Sequence, residues 1–159
     1  KLYVRLLTII NNRVRIEIMQ LAKFKHDGRI CVGLVEGGCC NEENVHVLHE
    51  FRENCDLLIS FGDCATMGGI PAMRNNIPLE ECINEAYRDG VTVYNPKNIV
   101  PQDPEIPLLL DKVYPAHEVV KIDYFLPGCP PSADTLWAAL TALLTNQPVD
   151  LPYELLKYD

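Results

Sequence analysis

Apolar residues fall into short continuous runs that alternate with segments of helical spacing. Residues 30–35 and 56–61 are apolar almost throughout, which is typical of strands buried on both faces of a parallel sheet. Residues 122–126 form a shorter run that predicts a last strand. Residues 13–18 alternate strictly between polar and apolar positions, which predicts a strand with one face in water.

Helical spacing of apolar residues predicts four helices beside and between these strands. The first covers residues 2–12, and the second begins after Asn41, a residue type that caps helices well. The third has apolar side chains at i, i+3, i+4, i+7 and i+8 starting from Leu79, and Gly90 closes it. The last helix begins after the cap Ser132. Its predicted apolar stripe is Leu136, Leu140, Leu143 and Leu144.

Strands that alternate with helices predict an α/β fold, in which a parallel sheet carries helices on both faces. A length of 159 residues is that of one domain, so residues 1–159 are interpreted as a single domain. Residues 95–115 contain five prolines and predict an irregular surface connection.

Composition and charge exclude several classes of function. The chain is 48% hydrophobic and 23% charged, as in ordinary globular proteins. Its net charge is −8 and it has no cluster of basic residues, so a nucleic-acid partner is not expected. No apolar run approaches the roughly 20 residues of a membrane-spanning helix. Phosphate-loop, dinucleotide and serine-hydrolase motifs are absent from the sequence.

Seven cysteines are the unusual feature of the composition. The number is odd, so disulfides cannot use them all, and the chain is too long for a disulfide-stapled miniature. A reducing compartment is therefore expected, with some of the thiols in the core and some on a metal. The cysteines are Cys31, Cys39, Cys40, Cys55, Cys64, Cys82 and Cys129.

Three Gly-rich turns that carry cysteine follow the buried runs. The turns contain the tandem pair Cys39 and Cys40, then Cys64, then Cys129. Because ligands gather at the carboxyl ends of parallel strands, these thiols are candidates for one metal site. Zinc sites usually use local Cys-x-x-Cys pairs, which this chain lacks, whereas an iron–sulfur cubane accepts dispersed cysteines.

The remaining candidates have plainer interpretations. Cys31 lies in a buried run and Cys82 on a helical apolar stripe, so both are predicted to be small core residues. Cys55, at a helix-to-strand turn, is predicted to be structural. Glu36 ends a buried strand before two glycines, where it could accept hydrogen bonds from the loop or pass protons at a subunit interface.

Three motifs, in this order, resemble the small subunit of [NiFe] hydrogenases. They are Glu-Gly-Gly at residues 36–38, Gly-Asp-Cys-Ala-Thr-Met-Gly-Gly-Ile-Pro-Ala at 62–72 and Pro-Gly-Cys-Pro-Pro at 127–131. Residues 73–75 and 117–125 are most similar to the cytoplasmic NAD-reducing, or bidirectional, branch. The resemblance covers the chain from about residue 30 to the end.

The resemblance implies a flavodoxin-like fold and an electron-transfer role. A [4Fe–4S] cluster would relay electrons between the NiFe centre of a large partner subunit and a diaphorase module that binds FMN and NAD. Cys64 and Cys129 match the third and fourth cluster ligands. Glu36 matches a glutamate near the large-subunit interface, and no residue of this chain would itself be catalytic.

One departure from the family pattern affects the metal site. The first two family ligands lie in a Cys-x-x-Cys turn after the first strand, and neither the turn nor the strand is present. Residues 2–18 look like the helix and second strand that follow, so an amino-terminal segment is predicted to be missing. Alternatively, in a sheet ordered 2-1-3-4-5, Cys39 and Cys40 would lie near the site and complete a set of four with Cys64 and Cys129.

Three rival functions stay open at this point. Tandem cysteines also occur in the iron–sulfur subunit of NADH:quinone oxidoreductase, although there they follow the first strand, and the Met-Gly-Gly-Ile-Pro-Ala continuation favours the hydrogenase. A truncated relative could hold no cluster and act as a scaffold for the large subunit. A flavin-binding flavodoxin-like module is the third rival.

Overall fold

The structure, a computed structural model, describes residues 7–8 and 31–156. Four parallel strands form the main sheet in the order β1-β2-β4-β6, and β3 pairs with β5 in a second, antiparallel sheet. The strands are β1 (Leu7–Thr8), β2 (Val32–Glu36), β3 (Cys39–Asn41), β4 (Leu57–Phe61), β5 (Leu109–Tyr114) and β6 (Tyr124–Leu126).

Helices connect these strands and cover the main sheet. The α-helices are α1 (Glu42–Asn54), α2 (Asp63–Met67), α3 (Leu79–Asn84), α4 (Ala116–Val119) and α5 (Ala133–Leu144). A 3₁₀ segment, Ile70–Asn76, links α2 to α3, and a π-helical turn, Glu85–Asp89, extends α3. A second short 3₁₀ turn is Tyr153–Leu155. In the part of the chain that the structure describes, no helix has the length and apolar character needed to cross a membrane.

Successive side chains of one strand enter different cores, because side chains alternate across a strand. Leu58 packs in one buried cluster with Phe51 of α1. Ile59, the next residue, packs in the other with Ala139 and Leu143 of α5. Both faces of the sheet are therefore covered, and the predicted α/β architecture is confirmed.

The two predicted helix caps are also confirmed. The side-chain oxygen of Asn41 accepts a hydrogen bond from the Asn44 amide at 2.8 Å, which begins α1. The Ser132 hydroxyl accepts one from the Thr135 amide at 3.1 Å, which begins α5. Each cap satisfies an amide that has no partner within its own helix.

The prediction of a helix over residues 2–12 is wrong at Leu7 and Thr8. These residues form β1, which pairs in parallel with Gly33 and Leu34. A short apolar run fits a strand as well as a helix, and the ladder position beside β2 decides between them. The rest of residues 2–12 and the predicted strand at residues 13–18 lie outside the described residues.

The predicted irregular connection at 95–115 is wrong at its end, because residues 109–114 form β5. The partner strand β3 is only three residues long, and its turn-like sequence conceals its pairing. The predicted stripe of the third helix is not buried, since α3 and its π-helical turn contain no buried residue. In α5 the stripe is shifted, because Ala139 is buried while Leu144 is 46% exposed.

Candidate functional site

Three Gly-rich turns meet at the carboxyl edge of the main sheet, which is the end formed by the carboxyl ends of its parallel strands. They follow Glu36 of β2, Phe61 of β4 and Leu126 of β6, which are in register across the ladder. The Gly62 amide donates to the Leu126 carbonyl at 2.8 Å, so the second and third turns begin in contact.

The turns that carry Cys64 and Cys129 are joined by a reciprocal pair of hydrogen bonds. The Asp63 amide donates to the Gly128 carbonyl at 2.9 Å. In return, the Gly128 amide donates to the Asp63 carboxylate at 2.7 Å. Asp63 thus fixes the spacing between two turns that are 65 residues apart in sequence.

Two glycines allow the backbone to close around Cys64. Gly62 has φ = 85°, a left-handed conformation that side chains disfavour, and it places the start of α2 against Gly128. Gly69 has φ = 53°, and a Cβ there would lie 3.1 Å from the Cys64 sulfur. Steric limits therefore explain why these two positions of the motif are glycine.

Cys64 lies close to negatively charged groups. Burial raises the pKa of its thiol, and the negative charges of Cys129, Asp63 and Glu36 raise it further. The strand register and the hydrogen bonds between Asp63 and Gly128 place the three sequence-predicted residues Glu36, Cys64 and Cys129 at this same end of the sheet. Glu36 and Cys129 are exposed and Cys64 is half-buried, so this edge is open to a partner or ligand.

The tandem pair, Cys39 and Cys40, does not take the position that its Gly-rich turn predicted for metal ligands. Cys39 is 2% exposed and packs in the core with Val35, and burial, followed by the charge of Cys40, raises its pKa to about 11. The Cys40 sulfur and amide both donate to the Asn44 side chain, at 3.4 and 3.1 Å. Pairing of β3 with β5 turns Cys39 inward, which counts against the four-cysteine hypothesis.

The remaining cysteines divide between core and surface. Cys55 is buried as predicted, and Cys31 packs at the edge of the same cluster. Cys82 is half-buried and outside both buried clusters, so its predicted core position is wrong. Sequence reasoning missed that Cys31 and Cys55 are neighbours. The signal was present, because one residue precedes β2 and the other precedes β4.

The described residues fit half of the ligand set of a cubane. A [4Fe–4S] cluster takes about four thiolates, and here the thiols of Cys64 and Cys129 share one edge. Across residues 7–8 and 31–156, no three His, Cys, Asp or Glu side chains form a group that could hold a metal ion. A complete cluster would need two ligands from a different arrangement or from outside this sequence.

Comparison with known proteins shows the family of this chain, and then its similar relatives within that family. Residues 1–143 match the family described as NADH ubiquinone oxidoreductase, 20 Kd subunit, and the chain belongs to this family. Within it, the chain is 52% identical over 132 residues to the NAD-reducing hydrogenase HoxS subunit delta of Cupriavidus necator. That alignment covers 82% of this chain and 63% of the relative.

Two further comparisons point to the same kind of protein. A subunit of the F420-non-reducing hydrogenase of Methanothermobacter thermautotrophicus is 37% identical, over 85% of this chain and 44% of the relative. A chain in the crystal structure of an NAD+-reducing [NiFe]-hydrogenase in the H2-reduced state superposes with a TM-score of 0.79 and 34% identity, covering 98% of both chains. The chain spans 63% or less of the length of the two curated relatives.

These findings confirm the resemblance at the level of homology to [NiFe]-hydrogenase subunits. The motif order at residues 36–38, 62–72 and 127–131 was therefore a reliable signal. The missing amino-terminal segment is not confirmed and stays a prediction.

Proposed function

We propose that residues 1–159 form one domain that acts as the electron-transfer subunit of a cytoplasmic NAD-reducing [NiFe] hydrogenase. The observation that carries the proposal is the joining of the Cys64 and Cys129 turns by Asp63 at the carboxyl edge of the sheet. The 52% identity to the HoxS delta subunit supports it.

Cys64 and Cys129 would bind iron of a [4Fe–4S] cluster, which supplies one-electron chemistry when bound. The residues of this chain set its position. Asp63 fixes the distance between the two turns, and Gly69 leaves room beside the Cys64 sulfur. Glu36, exposed at the end of β2, would face the large subunit and pass protons there.

Exposed apolar side chains support a protein partner at the same edge. Met67, Ile70 and Met73 follow Cys64 within nine residues and are 55%, 71% and 69% exposed. Apolar patches of this kind mark protein–protein contacts. The proposed partners are a large subunit with the NiFe centre and diaphorase subunits with FMN and NAD, and the hydrogen chemistry would belong to the large subunit.

Electron paramagnetic resonance of the reduced protein, purified anaerobically with its partners, tests the cluster. The wild-type protein should give a cubane signal, and Cys64→Ser should lose it. Cys82→Ser is the matched control and should keep the signal, since Cys82 lies outside the site. A wild-type signal in Cys64→Ser would contradict the proposal.

The source of the other two ligands has its own test. If an upstream Cys-x-x-Cys segment supplies them, replacing Cys39 and Cys40 together by serine leaves the iron content unchanged. If the tandem pair supplies them, the double variant loses its iron. The core position of Cys39 favours the first result.

Two observations favour other candidates. The matching family is described by a quinone-reductase subunit, so co-purification with a membrane arm would favour that role. Only two thiols share the site edge among the described residues, which is what a cluster-free scaffold would show. Iron and sulfide analysis separates the scaffold from the electron carrier.

A further inference from the structure

Two thiols face each other at the end of the sheet opposite the proposed cluster edge. Cys31 immediately precedes β2, and Cys55 lies between α1 and β4. Their sulfur atoms are 3.8 Å apart. The strands are five residues long, so this pair lies roughly 16 Å from the cluster edge at about 3.3 Å per residue.

Backbone contacts between Cys31 and Asp56, the neighbour of Cys55, hold the two cysteines close together. The Asp56 amide donates to the Cys31 carbonyl at 2.9 Å, and the Cys31 amide donates to the Asp56 carboxylate at 2.8 Å. Adjacent strands are about 4.8 Å apart, which is within the Cα separation that a disulfide spans. For a disulfide to form, the sulfur–sulfur distance has to shorten from 3.8 Å to about 2 Å.

The environment of the pair distinguishes the two thiols. The hydrogen-bond contact with Cys55 lowers the pKa of Cys31 to about 7, although burial and Asp56 oppose this. The same hydrogen bond, followed by burial, raises the pKa of Cys55. Cys31 is partly exposed, whereas Cys55 is 5% exposed. One partly exposed thiol beside one buried thiol is the arrangement of an attacking and a resolving cysteine.

Gly33 leaves the space that the pair needs. A Cβ at this position would lie 2.8 Å from the Cys55 sulfur and 2.7 Å from the Leu58 side chain. The absence of a side chain at this buried position keeps the Cys55 sulfur free to turn towards Cys31.

We propose that Cys31 and Cys55 are a redox modification site that closes to an intramolecular disulfide when the protein meets a peroxide. The Cys31 thiolate attacks one peroxide oxygen, the O–O bond breaks, and the departing hydroxide takes a proton from the solvent, so that the products are a sulfenic acid and water. The Cys55 sulfur then attacks the Cys31 sulfur, and the hydroxyl leaves as water with the Cys55 proton. Two thiols lose two electrons and two protons, and one hydrogen peroxide becomes two waters.

Peptide mapping after oxidation tests this site. The full chain, purified anaerobically with its partners, is treated with hydrogen peroxide, denatured in an alkylating reagent and cleaved after glutamate. Cleavage after Glu36 separates Cys31 from the tandem pair, and fragmentation of the linked peptide distinguishes Cys55 from Cys64. The expected product links Cys31 to Cys55, and its rate of formation rises with pH as the Cys31 thiolate forms.

Two variants complete the experiment. Cys55→Ser should abolish the link and leave Cys31 oxidised but unlinked, while Cys82→Ser should form the link at the wild-type rate. The proposal is overturned if the wild-type protein yields Cys31 and Cys55 separately alkylated at a peroxide dose that oxidises Cys31 in Cys55→Ser. Links from Cys31 to any other cysteine would overturn it as well.

Discussion

Asp123, the residue just before β6, connects α1 to the sheet. Its carboxylate accepts hydrogen bonds from the Arg52 guanidinium at 2.7 Å and the Leu58 amide at 2.8 Å. Its own amide donates to the Leu58 carbonyl at 2.8 Å. Burial alone would raise the pKa of Asp123, but the hydrogen bonds from Arg52 and Leu58 lower it overall.

Replacing Asp123 by alanine should destabilise the fold by about 2–4 kcal/mol, because the Arg52 charge and the Leu58 amide lose their partner. The free energy of unfolding in urea measures this. Lys121 supplies the control, since its amine is 3.8 Å from Asp123 and its side chain is 82% exposed. Lys121→Ala should change stability by less than about 1 kcal/mol, and equal losses in the two variants would contradict the prediction.

The lowered pKa of Asp123 also predicts a dependence on acid. A carboxylate with a folded pKa below its unfolded value of about 3.9 stabilises the fold above that pH. This contribution disappears as the pH falls through the lower, folded pKa. Urea midpoints measured from pH 6 down towards pH 3 should therefore fall more steeply for the wild-type protein than for Asp123→Asn. Parallel curves would show that Asp123 does not carry the effect.

At the scale of elements, side chains of the 3₁₀ segment Ile70–Asn76 complete the ladder of β5. The Asn75 amide nitrogen donates to the Val113 carbonyl at 2.9 Å, and its oxygen accepts from the Val113 amide at 2.7 Å. Arg74 donates to the carbonyls of Leu110 and Asp111. The motif after Cys64 is thereby attached to the second sheet.

Asn75→Ala should loosen β5 locally, because the Val113 amide and carbonyl lose their hydrogen bonds at a cost of about 1–3 kcal/mol. Hydrogen exchange at the Val113 amide should accelerate by roughly tenfold or more. The neighbouring Asn76 is exposed, so Asn76→Ala should leave the exchange rate unchanged. Equal exchange in both variants would mean that Asn75 does not support the strand.

The elements also show which parts of the secondary structure the local sequence pattern predicts. The apolar runs predicted β2, β4 and β6 to within two residues, because strands buried on both faces leave a continuous signal. The apolar stripe of α3 has the period of a helix, but none of its residues is buried. Tertiary packing, and not the period, decides which helix faces are buried.

At the scale of the whole molecule, the exposed apolar side chains after Cys64 predict where the proposed large subunit would bind. Ile70→Asp should remove the large subunit from the purified complex while leaving the urea midpoint unchanged, because Ile70 is 71% exposed. Trp137 is similarly exposed on α5, which packs on a different buried cluster. Trp137→Asp introduces the same charge and should retain the partner. Retention by both variants would exclude this contact.

The meeting of the turns that carry Cys64 and Cys129 was predictable from the sequence, while the strand pairings around them were not. The sequence by itself determined the α/β class, the caps Asn41 and Ser132, and the convergence of three Gly-rich turns. These follow from periodicity and from turn chemistry, which act over a few residues.

Only the tertiary structure decided that Leu7–Thr8 is a strand, that Cys39 is buried and that Cys31 faces Cys55. Each depends on a partner at least 24 residues away in sequence, as between Cys31 and Cys55. A strand edge or a thiol has no local pattern that identifies such a partner. Folding places these groups together because the strands must pair their backbone N–H and C=O groups and the apolar side chains on both faces of the sheet must be buried.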